Sequence, residues 1–123
     1  MPYLTFDVDR PVDEASAEAF EADVAETYAR VMDADTSYVA VAVREVEAMY
    51  LGRAEDGPIV VLTADIRRGR SQDRRRTLAL ELIDLVSETF DVPRTNQKVV
   101  FTEHDGALMM GHERVGSEWT PEE

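Results

Sequence analysis

Cysteine is absent from this chain of 123 residues. That excludes a disulfide framework and thiolate catalysis. Lysine is nearly absent: Lys98 stands alone, and the other 12 of the 13 basic residues are arginine. No apolar run approaches the ~18 residues that suggest a bilayer-spanning helix. The start carries Asp7, Asp9 and Arg10, with no basic segment ahead of an apolar one, so it does not read as a secretion signal. The expected location is the cytoplasm, with no membrane partner. Acidic residues are abundant: 26 Asp plus Glu against 13 Lys plus Arg, net charge -13. A carboxylate-rich, lysine-poor surface suits a salt-adapted, halophilic microbe, because salt screens the self-repulsion of such a chain. The same charge argues against a nucleic-acid partner, whose phosphates demand cations. Hydrophobic residues make up 44%, enough for one domain with a single core.

An internal repeat organises the chain. PYLTFDVDR at 2–10 resembles PIVVLTADIR at 58–67, each an apolar strand leading into a helix. From Asp13 to Met32, Phe20, Val24, Tyr28 and Val31 recur at spacings of one helical face. From Ser71 to Phe90, Leu78, Leu82, Leu85, Val86 and Phe90 do the same, with Ser71 as the expected N-cap. A second strand follows each helix, SYVAVAVRE at 37–45 and QKVVFTEH at 97–104. The reading is one α/β (α+β) domain of two β-α-β units, repeat one 2–45, connector 46–57 and repeat two 58–104. Right-handed parallel crossovers put both helices on one face of a four-stranded mixed sheet. Val39, Val41 and Val43 alternate with Ala40 and Ala42, a strand apolar on both sides. Such strands are buried on both faces, so the helix-free face is expected to be covered by other subunits. The glycine-containing stretch 105–119 is expected to form a hairpin or an arm reaching a neighbour.

The distinctive chemistry is IRRGRSQDRRR at 66–76, which holds six of the 13 basic residues. It falls where a strand ends and a helix begins, a place where free N–H groups and the helix dipole favour anions. Arg67, Arg68 and Arg70 precede the helix and suit a small carboxylate through the bidentate guanidinium fork. Gly69 permits the tight turn between them. Arg74, Arg75 and Arg76 are expected to be solvated or paired with acids.

With Pro2 one residue from the start, SYVAVAV at 37–43, VVLTADIRRGRSQD at 60–73, and VVF at 99–101 after an earlier Val-Pro, the chain resembles the tautomerase superfamily. The resemblance spans nearly the whole chain and is weakest over 105–123. It is to the long-chain branches, those of macrophage migration inhibitory factor, 5-carboxymethyl-2-hydroxymuconate isomerase, malonate semialdehyde decarboxylase and cis-3-chloroacrylic acid dehalogenase. It implies a homotrimer in which Pro2, once Met1 is removed, presents a secondary amine as general base and acid. It also implies that Arg68 and Arg70, with Arg67, bind the carboxylate of a small 2-oxo acid and stabilise its enolate, and that no metal or organic cofactor takes part. Arg68-Gly69-Arg70-Ser71 is similar to the Arg-Pro-Arg-Ser element of the decarboxylase branch, and Arg67 with Arg70 matches an arginine pair of the dehalogenases.

Some positions depart from the family pattern. Ala34 stands where the cytokine-like branch has a lysine. Asp33 or Asp35, with Asp35 preferred, corresponds to the aspartate of the decarboxylases. Glu113 or Glu118 falls in the region of the acid that activates water in the dehalogenases. Tyr3, Tyr38, Tyr50 and Phe101 are candidates for the wall of an apolar pocket near Pro2, Tyr38 as a substrate-binding residue and Phe101 more for the core. Met109, Met110 and Trp119 are expected to pack against a neighbouring subunit. His104 and His112, with the acids beside them, match no metal-ligand spacing. The expected activity is keto–enol tautomerisation, with decarboxylation or dehalogenase/hydratase-like chemistry as the alternative. A trimeric binding module without catalysis is the third possibility.

Overall fold

Asp13 starts the first helix by accepting the Ser16 amide on its carboxylate at 3.0 Å. Ser71 starts the second by accepting the Arg74 amide at 3.2 Å. These caps satisfy N–H groups that a helix's first turn leaves without carbonyl partners. In a computed structural model, which describes residues 1–116, they open α1 (Glu14–Met32) and α2 (Gln72–Phe90). Both helices end in an aspartate with left-handed backbone, Asp33 at φ 56° and Asp91 at φ 56°. The strands are β1 (Tyr3–Val8), β2 (Ala40–Glu45), β3 (Val60–Arg67) and β4 (Gln97–His104).

The sheet order is β2-β1-β3-β4. β1 lies parallel to β2 and β3 parallel to β4, while β1 and β3 meet antiparallel in the centre. This is the expected mixed sheet of two β-α-β units. Leu4, Phe6 and Val8 of β1 and Val60, Leu62, Ala64 and Ile66 of β3 point to the helices and form the core with Phe20, Val24, Tyr28, Met32, Leu78, Leu82 and Val86. Phe20 joins the layers, with ring centroids 4.9 Å from Phe6 and 4.8 Å from Phe90. The alternate residues occupy the other face. Tyr3 and Val100 are exposed there, and Arg44 reaches across to Asp7 at 2.8 Å.

The second strand begins later than the sequence suggests. Asp35 accepts both the amide and the hydroxyl of Ser37, at 2.9 and 2.8 Å. This side-chain capture winds Thr36–Tyr38 into a 3-10 turn, so Tyr38 precedes β2 rather than lying within it. The connector is tied down by the fully buried Asn96, which accepts the Glu55 amide at 2.9 Å and donates to the carbonyls of Glu55 and Pro58 at 2.9 and 3.0 Å. After β4, the chain makes a short 3-10 turn at Gly106–Leu108 and a tight turn whose ends, Gly111 and Arg114, exchange backbone hydrogen bonds at 3.1 Å. The expected hairpin is therefore a pair of turns as far as residue 116. Glu118, Trp119 and the rest of the arm lie outside the described residues.

Candidate active site

The topology gathers chemistry at one end of the sheet. Because β1 and β3 are antiparallel, the start of β1 lies beside the end of β3, where the arginine stretch begins. Parallel pairing puts the start of β2 and the end of β4 at that same end. The C-terminus of α1 and the N-terminus of α2 arrive there too. Pro2 is buried, and its carbonyl accepts the Ala40 amide at 3.0 Å, which ties the chain's first residues to β2.

The three candidate arginines have different settings. Arg67 is 1% exposed and donates to the Gly106 carbonyl at 3.2 Å. A side chain at Gly106 would fall inside the Arg67 guanidinium, so only glycine allows that turn to lie on the arginine. Arg70 is 8% exposed and donates through Nε and Nη2 to the Met32 carbonyl at 3.3 and 3.2 Å. A cation at the C-terminus of α1 complements the negative end of the helix dipole. Arg68 is exposed and pairs with Asp105 at 3.0 Å. Gly69 between them adopts φ 122°, a conformation costly for other residues. Arg75 supports the group, donating to the Arg70 carbonyl at 2.6 Å and pairing with Glu103 at 3.4 Å. Arg74 and Arg76 are exposed.

Beneath Arg70 lies Tyr28, fully buried, whose hydroxyl has no hydrogen-bond partner among the described residues. Burial pushes its phenol up to about 12, with the Arg70 charge pulling weakly the other way. Asp35 faces solvent as a capping residue, and the hydrogen bonds from Ser37 hold its carboxyl below the usual range. Glu113 is exposed with its carboxylate 3.6 Å from His112, while His104 bonds Asp65 at 2.8 Å. Tyr50 is 91% exposed, whereas Phe101 packs against the core. Met109 is buried and Met110 exposed.

The structure adds residues the sequence did not single out. Arg114 donates to the Tyr38 hydroxyl at 3.1 Å, with its guanidinium carbon 4.8 Å from the centre of that ring. Gly111 lies against the Met1 side chain, so closely that a Cβ there would fall 2.8 Å from Sδ. Their signal in sequence was faint: the glycines of DGALMMGHERVG mark turns without saying what the turns cover.

The family model described as macrophage migration inhibitory factor (MIF) matches residues 1–114. The chain belongs to this family. No curated protein sequence matches it. Solved structures share the fold at low identity. One, described as N1, a member of the cis-3-chloroacrylic acid dehalogenase family, is 20% identical with a TM-score of 0.83, covering 94% of this chain and 84% of that one. Another, Pt0534 inactivated by 2-oxo-3-pentynoate, is 17% identical with a TM-score of 0.81, covering 94% and 95%. A third, described as W0 fused 4-OT, a wild-type symmetric trimer, is 14% identical with a TM-score of 0.81, covering 94% and 97%. The tautomerase resemblance of the sequence is thus met by the MIF/tautomerase fold.

Proposed function

We propose that this MIF-family chain is a proline-based tautomerase acting on a small 2-oxo acid or its enol. The carrying observation is the convergence of Pro2 and the arginine stretch at one end of the sheet. With Met1 removed, Pro2 carries a secondary amine. An α-amine titrates near ~8 unperturbed, and burial beside guanidinium groups favours its neutral form. The neutral amine takes the hydroxyl proton of the enol and returns a proton to C-3, leaving the 2-oxo acid with its composition unchanged. Arg68 and Arg70, with Arg67, hold the carboxylate and stabilise the enolate oxygen as charge develops on it. Tyr38 and Asp35 are the further substrate-binding residues of this reading. The step needs no metal or organic cofactor.

The same reading makes the chain a homotrimer, as the fused neighbour is described, with the helix-free sheet face covered by other copies. It places the protein in a salt-rich cytoplasm, where its net charge of -13 is screened. The element Arg68-Gly69-Arg70-Ser71 supports a second reading, decarboxylation of a 3-oxo acid such as malonate semialdehyde.

The test is turnover of phenylenolpyruvate in concentrated salt by protein whose loss of Met1 is verified by intact mass, beside the Pro2→Ala variant. Turnover abolished in the variant supports the amine as base, and equal turnover refutes it. If neither protein turns over the enol, malonate semialdehyde is the next substrate.

A further inference from the structure

The Gly111–Arg114 turn covers the start of the chain. Its Gly111 end rests on Met1, and its Arg114 end rests on Tyr38, two residues before the strand position that bonds Pro2. Of the turn's charged or titratable residues, His112 and Glu113 face solvent, whereas Arg114 is half-buried and turned inward. Its position is set twice by one aromatic side chain, through the hydrogen bond to the Tyr38 hydroxyl and the contact with the ring. Stacking on an aromatic face pre-organises a guanidinium, so less freedom is lost when it then binds an anion.

Met1 also marks a space. Its side chain occupies the place beside Gly111 that a Cβ there would enter. Removal of Met1 leaves room beside the Gly111 end of the turn, whose other end carries Arg114 on Tyr38. A cation carried by the turn that lies on Met1, 76 residues from the ring that positions it, has an electrostatic use if Pro2 acts on carboxylates.

We propose that Arg114 is a carboxylate-binding residue of the Pro2 site and that Tyr38 is its positioning residue, with the Gly111–Arg114 turn as the site's outer wall. This rests on the tautomerase reading for the chemistry, and on the turn's own contacts for the geometry. In this arrangement Tyr38 serves the substrate through Arg114, and the ligand class is a small carboxylate whose body fills the space of a methionine side chain.

The test separates binding from turnover. Phenylpyruvate is titrated into Met1-free wild type and Arg114→Gln, after circular dichroism and sedimentation show equal folding and assembly. The dissociation constant is expected to rise tenfold or more, as loss of a charge-assisted contact predicts. With phenylenolpyruvate, the loss falls on KM rather than kcat, and turnover of its methyl ester, which lacks the charge, falls by a much smaller factor. Arg114→Lys retains part of the affinity, and Tyr38→Phe, which keeps the ring and loses the hydroxyl, weakens acid binding more than it slows turnover of the ester. Equal phenylpyruvate binding by wild type and Arg114→Gln overturns the proposal, as does equal loss for acid and ester. A Pro2→Ala protein that keeps its turnover refutes the proline mechanism instead, and leaves the binding comparison to decide on Arg114.

Discussion

Tyr28→Phe is expected to stabilise the fold at neutral pH and to remove a loss of stability in alkali. The Tyr28 side chain is fully buried among core residues, and its hydroxyl meets no hydrogen-bond partner among the described residues. In the unfolded chain that hydroxyl is hydrated. Stripping the water without replacement costs about 1–3 kcal/mol, so deleting the oxygen is worth roughly 1 kcal/mol after the small void it leaves is counted. The alkaline effect follows from the phenol's displacement from 10.0 to about 12. The folded-state value is raised, so the full stability is present below pH 10 and is lost as pH climbs towards 12, where the unfolded phenol ionises and the buried one resists. Each unit is worth about 1.4 kcal/mol, so wild type loses roughly 1.4 kcal/mol from this group by pH 11 and a little over 2 kcal/mol by pH 12, where the buried phenol is itself half ionised. The assay is urea unfolding at pH 7, 10 and 11, at one protein concentration because assembly contributes to apparent stability. The remaining tyrosines are common to both proteins and cancel. A Phe variant destabilised by more than about 1 kcal/mol at pH 7 would refute the reasoning by showing a hydroxyl with a real partner. Parallel alkaline slopes would refute the pH argument.

Two other substitutions test how the two ends of the sheet are held together, Gly106 at the site end and Asn96 at the far one. Gly106→Ala drives a methyl into the Arg67 guanidinium and should cost about 1–3 kcal/mol by thermal unfolding. Most of that cost should disappear in an Arg67→Ala background, and additive losses would show that the two do not collide. Asn96→Ala removes four side-chain hydrogen bonds from a buried position and strands the backbone of Glu55 and Pro58. It should cost about 2–4 kcal/mol, measured as a shift in the urea midpoint, and raise amide exchange over 53–58.

The regular elements were legible because local chemistry agrees with the global fold. The apolar spacing from Phe20 to Val31 and from Leu78 to Phe90 gave the buried helical faces, and Ser71 showed its cap. The strand at 97–104 has the bounds expected of it. What failed was a competition decided by one side chain: the stretch 37–39 has strand composition, but Asp35 draws Ser37 into a turn. The arginines were visible as a cluster, not as individuals. What distinguishes Arg67 from Arg70 is a carbonyl 39 or 38 residues away, and sequence spacing carries no information about such partners. Arg114 was invisible for the same reason.

The central antiparallel pair also relates the two halves by an approximate two-fold axis. Pro58 stands to the far end of that pair as Pro2 stands to the near one, and Asp9–Arg10 beside it corresponds to Asp65–Ile66 beside Pro2. At the far end the duplicated geometry has been turned to anchorage: Asp9 exchanges hydrogen bonds with Ile59 at 3.2 and 2.7 Å, and the Pro58 carbonyl is held by Asn96. Pro58 lies inside the chain, so its nitrogen is an amide whatever side chains surround it. A duplicated β-α-β unit thus begins life already asymmetric. The proposed mechanism needs a free amine, which Pro58 cannot present, so on that reading only the near end can serve chemistry and the far end is left to support.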